Sequence, residues 1–383
     1  MEYKTLGELC DVVSGGTPSR SKQDYWNGDI PWIKIGNIKS RYISEADEFI
    51  TEAGLSESSA KILKKGTILY TIFATLGEVG VLTIDACTNQ AIAGITIKDE
   101  SIIDRDYLFY FLKSKKNYVN EVGRGVAQNN INMSILRGFE VPLRNLHEQQ
   151  EITEVLDKTS LIIEARRREL EKLDTLIKAR FVEMFGIPID RAKANMKFTD
   201  CVDFNPKKSE IKDLQDVEVS FVPMECVGVD GSFTIRENGP VSSYYKGYTY
   251  FRDGDVLLAK ITPCFENGKA AIAEGCKNGI GFGTTEFHVA RPKEGVSNSY
   301  WIKYMLKNDT VHDLATINMT GSAGQKRIQT PFFEKLTIFC PPIELQNQFA
   351  EFVKQVDKSK VVVQKALDEA QILFDSLMQE YFG

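Results

Sequence analysis

The stretch from Leu146 to Gly186 constrains the fold of this chain more than any other. Five of its apolar side chains recur at a spacing of seven: Leu156, Ile163, Leu170, Ile177 and Met184. No Pro or Gly interrupts the pattern before Gly186. A seven-residue apolar repeat predicts a long amphipathic helix with a coiled-coil seam. Some 35 residues of such a helix would span roughly 50 Å.

A second stretch of the same kind runs from Leu345 to Gly383. Its seam residues lie 200 positions after those of the first stretch: Val356, Val363, Ala370 and Leu377. Asp157-Lys158 recurs as Asp357-Lys358 at the same offset, whereas the two Phe-Gly ends are 197 positions apart. We therefore expect the second helix to be about one turn shorter. Two unrelated amphipathic helices are the alternative, but the shared heptad phase, the Pro-bearing entry and the Phe-Gly exit favour an internal duplication.

The composition narrows the class of protein. A chain of 383 residues with 43% hydrophobic and 26% charged residues is typical of a soluble protein of two or three domains. It has no apolar run of 18 residues, so no transmembrane helix is predicted. Seven scattered Cys without a CxxC pair, and a start unlike a signal peptide, indicate reduced thiols and a cytoplasmic location.

The charge is unevenly distributed. The net charge is −6, and the two helical stretches carry −5 of it, so the rest of the chain is close to neutral. This balance argues against indiscriminate nucleic-acid binding. It still allows a lobe to bind DNA if its cations face one way.

The remaining sequence forms two lobes whose elements follow the same order. We predict a first lobe at 1–146, a central helix at 147–186, a second lobe at 187–343 and a C-terminal helix at 344–383. Lys65–Tyr70 and Asp253–Leu258 are matching strand segments that begin around a Gly, and Asp106–Phe111 matches Ser299–Tyr304 as a helix. The lobes repeat only in outline, which indicates a like framework with unlike surfaces.

No pattern of catalytic residues is present. The sequence lacks G-x-x-x-x-G-K-[ST] and G-x-S-x-G motifs, and its three His are too scattered for a metal cluster. Asn205-Pro206-Lys207-Lys208 begins like the Asn-Pro-Pro-aromatic motif of amino-methyltransferases but lacks the second Pro and the aromatic residue. We therefore assign no catalytic residue and no metal ligand.

Two kinds of loop are candidate binding sites. Polar loops near Gln128 and Gln325 place amides beside cations, and such side chains can read adenine and guanine in the major groove. These loops can equally be plain polar connectors, and the residues alone leave both readings open. The Ser14–Lys39 loop interleaves cations with Tyr and Trp; we expect its Trp residues mostly in the core and its cations mostly functional. The candidate DNA-binding residues are Arg20, Lys22, Lys34, Asn37, Lys39, Arg124, Gln128, Asn129 and Asn130 in the first lobe, and Lys207, Lys208, Lys260, Thr262, Lys269, Gln325, Lys326 and Arg327 in the second.

Certain segments resemble a known family. They are LHEQQEITEVLDK at 146–158, LQNQFAEFVKQVDK at 345–358 and LGELCDVVSGGTPS at 6–19, together with the Phe-Gly helix ends. Through them the chain resembles, over its whole length, the specificity subunit (HsdS) of type I restriction–modification systems. The resemblance implies an α+β fold in which two α/β target recognition domains in pseudo-twofold arrangement are separated by two long antiparallel coiled-coil helices.

The same resemblance implies a non-catalytic function. Each recognition domain would read one half of a bipartite site in double-stranded DNA. The helices would set the spacing and dock two modification (methyltransferase) subunits of an adenine-N6 DNA methyltransferase/endonuclease. No cofactor is expected in this chain, because S-adenosylmethionine would bind the methyltransferase subunits; restriction (motor-nuclease) subunits can join, and no membrane partner is implied. The alternative is a two-lobed coiled-coil adaptor that binds proteins and no DNA, and an enzyme of unrecognised type is a third reading.

Overall fold

The computed structural model describes residues 2–124, 130–322 and 324–383. The chain divides into two compact units: Met1–Arg167 with Ala366–Gly383, and Arg168–Lys365. Each unit therefore contains one lobe and a part of both long helices. The predicted mixed fold, with two lobes and two long helices, is confirmed. Among the helices of the described residues, none combines the length and the apolarity needed to cross a bilayer.

The first unit contains ten strands, five short α-helices and parts of both long helices within the described residues. Its strands are β1 (Glu2–Thr5), β2 (Cys10–Ser14), β3 (Trp26–Ile33), β4 (Tyr42–Ile43), β5 (Glu48–Ile50), β6 (Ile68–Thr71), β7 (Val79–Leu82), β8 (Cys87–Thr88), β9 (Ile92–Ile97) and β10 (Glu140–Leu143). Its helices are α1 (Leu6–Leu9), α2 (Glu52–Ser56), α3 (Arg105–Ser114), α4 (Lys116–Arg124), α5 (Met133–Arg137) and the first part of α6 (Leu146–Phe185). The strands pair in the orders β2-β9-β6-β7-β4, β5-β3-β8 and β1-β10.

The second unit repeats part of this plan and adds a four-stranded sheet in the order β14-β13-β18-β15. Its strands are β11 (Met196–Lys197), β12 (Val202–Phe204), β13 (Glu218–Val222), β14 (Glu237–Pro240), β15 (Thr249–Arg252), β16 (Val256–Ala259), β17 (Ala270–Ile272), β18 (Ile280–Gly283), β19 (Phe287–Pro292) and β20 (Thr337–Ile338). Its helices are α7 (Phe198–Cys201), α8 (Val241–Tyr244), α9 (Ser299–Leu306), α10 (Asp309–Ile317), α11 (Thr330–Lys335) and the first part of α12 (Ile343–Phe382). The orders β12-β19-β16-β17 and β11-β20 match β2-β9-β6-β7 and β1-β10.

The repeated elements begin for the same local reasons. Asp104 caps α3 and Asn298 caps α9, each accepting a hydrogen bond from an N–H of the first turn. Both helices pack apolar faces on their sheets, with Tyr107 and Trp301 fully buried. The helices predicted at 106–111 and 299–304 are thus confirmed.

The two long helices have equal length. α6 and α12 each contain 40 residues, and α12 starts and ends 197 positions after α6. The expectation that the second helix is one turn shorter is therefore wrong. Gln149 and Gln346 confirm the offset of 197, because each is fully buried near its helix start and bonds equivalent backbone groups. The Gln149 amide donates to Ile102 and Arg144 and accepts from Asp104, and the Gln346 amide does the same with Val296, Pro341 and Asn298.

Within each unit the two helix parts pack antiparallel. In the second unit the Phe181 and Phe185 rings lie 5.4 and 5.5 Å from Phe349, while Asp174 pairs with Lys360 further along α12. In the first unit Arg167 donates to Gln371 at 3.3 Å. The predicted seam is buried at Leu156, Ile163, Ile177, Val356 and Val363 and half-buried at Leu170, Ala370 and Leu377. The seam joins the core of each lobe, because Leu156 and Ile177 belong to the two largest apolar clusters among the described residues.

Candidate nucleic-acid interface

The clearest candidate site lies where the chain leaves β16 in the second unit. Residues 260–262 run beside residues 326–328: the Thr262 N–H donates to the Lys326 carbonyl at 3.0 Å, and the Lys326 N–H donates to Thr262 Oγ1 at 3.1 Å. The Ile328 N–H donates to the Lys260 carbonyl at 2.9 Å. The structure therefore brings Lys260, Thr262, Lys326 and Arg327 together, with Gln325 next to them. We call residues 260–262 and 325–328 the β16 cluster.

An ion pair holds one cation of the β16 cluster. Arg327 Nε lies 3.1 and 3.0 Å from the two carboxylate oxygens of Glu286, and Nη2 lies 2.9 Å from Oε1. This bidentate contact lowers the pKa of Glu286 and raises the pKa of Arg327. Lys326 is exposed, and its amine contacts no partner in the part of the chain that the structure describes. Lys326 is therefore a cation of the cluster that is available to a ligand.

The buried His288 ring hydrogen-bonds to the backbone of the β16 cluster. Its Nε2 donates to the Ile328 carbonyl at 2.9 Å, and its Nδ1 accepts from Asn205 Nδ2 at 3.1 Å. Burial lowers the pKa of His288 to about 4, so the ring is neutral near pH 7. Sequence reasoning missed this residue, because a single His on a strand gives no periodic or spacing signal.

The first unit has the same arrangement at the end of β6. The Ile131 N–H donates to the Ile72 carbonyl at 3.1 Å, and Asn130 forms an isolated bridge with Phe73. Gln128 and Asn129, with the side chain of Arg124, lie outside the described residues, so their assignment stays a prediction. The described end of the polar segment thus bonds the end of the equivalent strand in both units.

One carboxylate binds two cations of the segment 14–39, which was predicted as a loop but contains the strand β3. Arg20 and Lys34 each lie 2.6 Å from the Glu48 carboxylate, and Arg20 also covers the Trp26 ring at 3.7 Å. Trp32 is buried, and its ring contacts Trp26 edge-on at 5.1 Å. The expectation that the Trp residues belong mostly to the core is confirmed for Trp32. The cations do reach the surface, but carboxylates already pair with Arg20 and Lys34.

The other candidate residues have varied surroundings. Lys22 pairs with Glu57 at 3.2 Å, and the Asn37 carbonyl oxygen accepts the Lys34 N–H at 2.9 Å. Lys208 and Lys269 donate to the carbonyls of Tyr245 and Met224 at 2.9 and 3.2 Å. Lys39 and Lys207 are exposed. The hydrogen bonds of the described residues do not link these side chains to the β16 cluster.

Sequence comparison matches the chain to one family. The family model of the type I restriction modification DNA specificity domain matches residues 1–174 and 233–370. The chain is 41% identical over 188 residues to the type I restriction enzyme EcoAI specificity subunit of Escherichia coli, a match that covers 47% of this chain and 31% of that protein. It is 32% identical over 214 residues to the MjaIX specificity subunit of Methanocaldococcus jannaschii, covering 55% and 45%. These matches span less than half of the length of either relative.

Solved structures share the fold. The S subunit of a type I restriction-modification system from M. genitalium aligns with a TM-score of 0.56 and 15% identity over 100% of this chain and 96% of that chain. A second structure comes from work on complex assembly and conformational transition of the type I R-M system. It aligns with a TM-score of 0.58 and 15% identity over 100% of this chain and 97% of that chain. Both likenesses concern the fold.

Proposed function

The chain belongs to the type I restriction modification DNA specificity domain family, and from that membership we propose that it is a non-catalytic DNA-recognition subunit. Each lobe reads one half of a bipartite target in double-stranded DNA. The methylation of adenine takes place on separate modification subunits that bind S-adenosylmethionine. The subunit acts in the cytoplasm, where its target DNA lies.

The repeated placement of the polar loop carries this proposal. In both units the described end of a segment rich in amides and cations bonds the end of the equivalent central strand, Ile131 to Ile72 and Ile328 to Lys260. Base edges are read by Gln, Asn, Arg and Lys, and a rigid backbone support keeps such side chains in register with the duplex. The two units therefore hold different side chains on equivalent backbone positions. This arrangement suits a protein that recognises two different half-sequences.

The long helices are the proposed docking surface for the modification subunits. On their outer faces, several apolar side chains are half or more exposed among the described residues: Leu161, Ile162, Val361, Val362, Ile372 and Leu373. Apolar residues in such number on otherwise charged helices are expected at a protein interface. We propose that one modification subunit covers the exposed apolar residues of each unit, that restriction subunits can join through them, and that helix length sets the unread gap.

The test is selection from a randomised duplex pool, with and without the modification subunit, followed by sequencing. The parent chain is expected to select two half-sequences separated by a fixed gap. Lys326→Ala should relax one position of one half-site if Lys326 contacts a base, at a cost of about 1–3 kcal/mol, or weaken all sequences alike if it contacts a phosphate. Lys246→Ala is the matched control, because Lys246 is an exposed lysine of the same unit outside the β16 cluster.

The adaptor alternative predicts a different result. A protein-binding adaptor would retain the modification subunit but enrich no sequence from the pool. A loss of preference in both half-sites on Lys326→Ala would contradict the division of labour between the lobes.

A further inference from the structure

The two units differ in chemistry at equivalent strand ends. The Ile72 N–H donates to the Ala91 carbonyl at 2.8 Å, and the Lys260 N–H donates to the Glu286 carbonyl at 2.9 Å. Ile72 is therefore equivalent to Lys260, and Ala91 is equivalent to Glu286. The second unit places two charged side chains at this point, whereas the first unit places two apolar ones.

The next position along the chain differs in the same direction. Phe73 forms an isolated bridge with Asn130, and Ile261 forms the equivalent bridge with Arg327. Phe73 is 38% exposed, whereas Ile261 is half-buried. In the first unit an exposed aromatic ring and an amide therefore take the places of an aliphatic side chain and a guanidinium.

The turn that follows β6 presents its tip to solvent. Phe73, Ala74 and Thr75 are all exposed, and we call them the 73–75 turn. The base of the turn is fixed by two hydrogen bonds. The Thr71 N–H donates to the Glu78 carbonyl at 3.0 Å, and Thr71 Oγ1 accepts the Glu78 N–H at 2.8 Å. The tip is thus an exposed surface on a rigid support.

The backbone at the tip is unusual. Ala74 has a φ of 60°, in the left-handed region that a residue with a Cβ rarely adopts. Such a conformation persists where the surrounding structure imposes it, and conformations of this kind cluster at functional sites. The shape of the 73–75 turn is therefore imposed by its surroundings.

We propose that the 73–75 turn contacts the 5-methyl group of a thymine in the half-site read by the first unit, an inference that rests on the proposed function. Thymine presents a methyl group in the major groove, and Phe, Ala and the Thr methyl are side chains that contact it. The turn carries these three residue types in succession. Asn130, which bridges to Phe73, has the amide that suits the adenine of an A·T pair.

The experiment uses the duplex that the parent chain selects from the randomised pool. Each of its thymines is replaced, one at a time, by deoxyuridine, which lacks the 5-methyl group and keeps the hydrogen bonds of the base pair. Binding is measured by competition with the labelled parent duplex. We expect one replacement to weaken binding about fourfold, the factor that corresponds to the burial of one methyl group.

Two variants assign this effect to the turn. Phe73→Ala should bind the thymine duplex and the deoxyuridine duplex equally. Phe49→Ala is the matched control, because Phe49 is also 38% exposed in the same unit but lies on β5, outside the turn. The control should keep the preference for thymine, and circular dichroism checks that both variants are folded.

Each outcome decides the proposal. A thymine preference that is lost in Phe73→Ala and kept in Phe49→Ala supports the contact. Duplexes in which no thymine is sensitive, or a preference lost in both variants, would overturn it. So would a preference that survives in Phe73→Ala, as expected if the ring only wedges between base steps.

Failure of the contact is distinguishable from failure of the proposed function. If the parent selects two half-sequences but Phe73→Ala abolishes no thymine preference, the DNA-recognition function stands and only the thymine contact is wrong. If the parent selects no sequence at all, the proposed function fails and the contact fails with it.

Discussion

The packing of the long helices can be tested by one change in the seam. Ile177 is fully buried in the core of the second unit, in the same apolar cluster as Phe181 and Val356. Its neighbour Leu176 is 47% exposed on the same helix. Ile177→Asp and Leu176→Asp therefore place the same new charge one residue apart, once inside the seam and once outside.

The expected difference follows from burial. Removing a buried aliphatic side chain costs about 2–5 kcal/mol, and placing an unpaired carboxylate there adds to that cost. A total on the order of 5 kcal/mol corresponds to a drop in Tm of roughly 10–20 °C for a domain of 150–250 residues. Leu176→Asp should change the free energy of unfolding by less than about 1 kcal/mol.

Scanning calorimetry of the two variants and the parent measures this directly. Leu170→Asp should lie between them, because Leu170 is only half-buried. If Ile177→Asp melts within about 1 °C of the parent, or if Leu176→Asp falls as far, the seam does not stabilise the unit as described.

Three further predictions concern separate features. The contiguous fragment 168–365 should fold alone, because it contains a complete unit with parts of both long helices; a fragment without a cooperative thermal transition would refute this. His288→Gln should make the free energy of unfolding less sensitive to acid. The pKa of His288 is about 4 in the folded chain, against about 6.5 in an unfolded chain. The unfolded state therefore binds more protons, so stability falls as the pH drops from 6.5 toward 4, by roughly 2 kcal/mol at pH 5. Urea titrations of parent and variant at pH 7 and pH 5 should show a smaller loss in the variant. Inserting seven residues after Arg167 and after Lys365 keeps the heptad phase and adds about 10 Å to each helix; duplex selection should then recover both half-sequences with a longer gap, and an unchanged gap would show that the helices do not set it.

The long helices could be predicted from the sequence because burial of one helix face requires apolar residues at a regular spacing. It could not give their register. In a heptad, both the first and the fourth position face the partner, so a shift of three residues moves one seam position onto the other. Val353 and Val356 are both buried, and the Asp-Lys match drew the alignment to 200 where the structure requires 197.

The equivalence of the two polar segments was inferred from the internal repeat, and the electrostatics around them were not predicted. The described ends of these segments bond equivalent strand ends, Ile131 to Ile72 and Ile328 to Lys260. Glu286 and Glu48, which pair with Arg327 and with Arg20 and Lys34, are 41, 28 and 14 positions away from those cations. Such partners come together only through the sheet, so local sequence could not show which cations were already neutralised.

The division of the chain into units has a consequence for the order of events on the ribosome. Residues 168–365 are contiguous, so every residue of the second unit is synthesised before residues 366–383. The first unit must wait for those residues, since Phe374, Met378 and Phe382 are buried in its core. The first unit, most of which is translated first, is therefore the last to complete its core. Interrupted translation leaves the apolar surface of that unit exposed to chaperones and proteases.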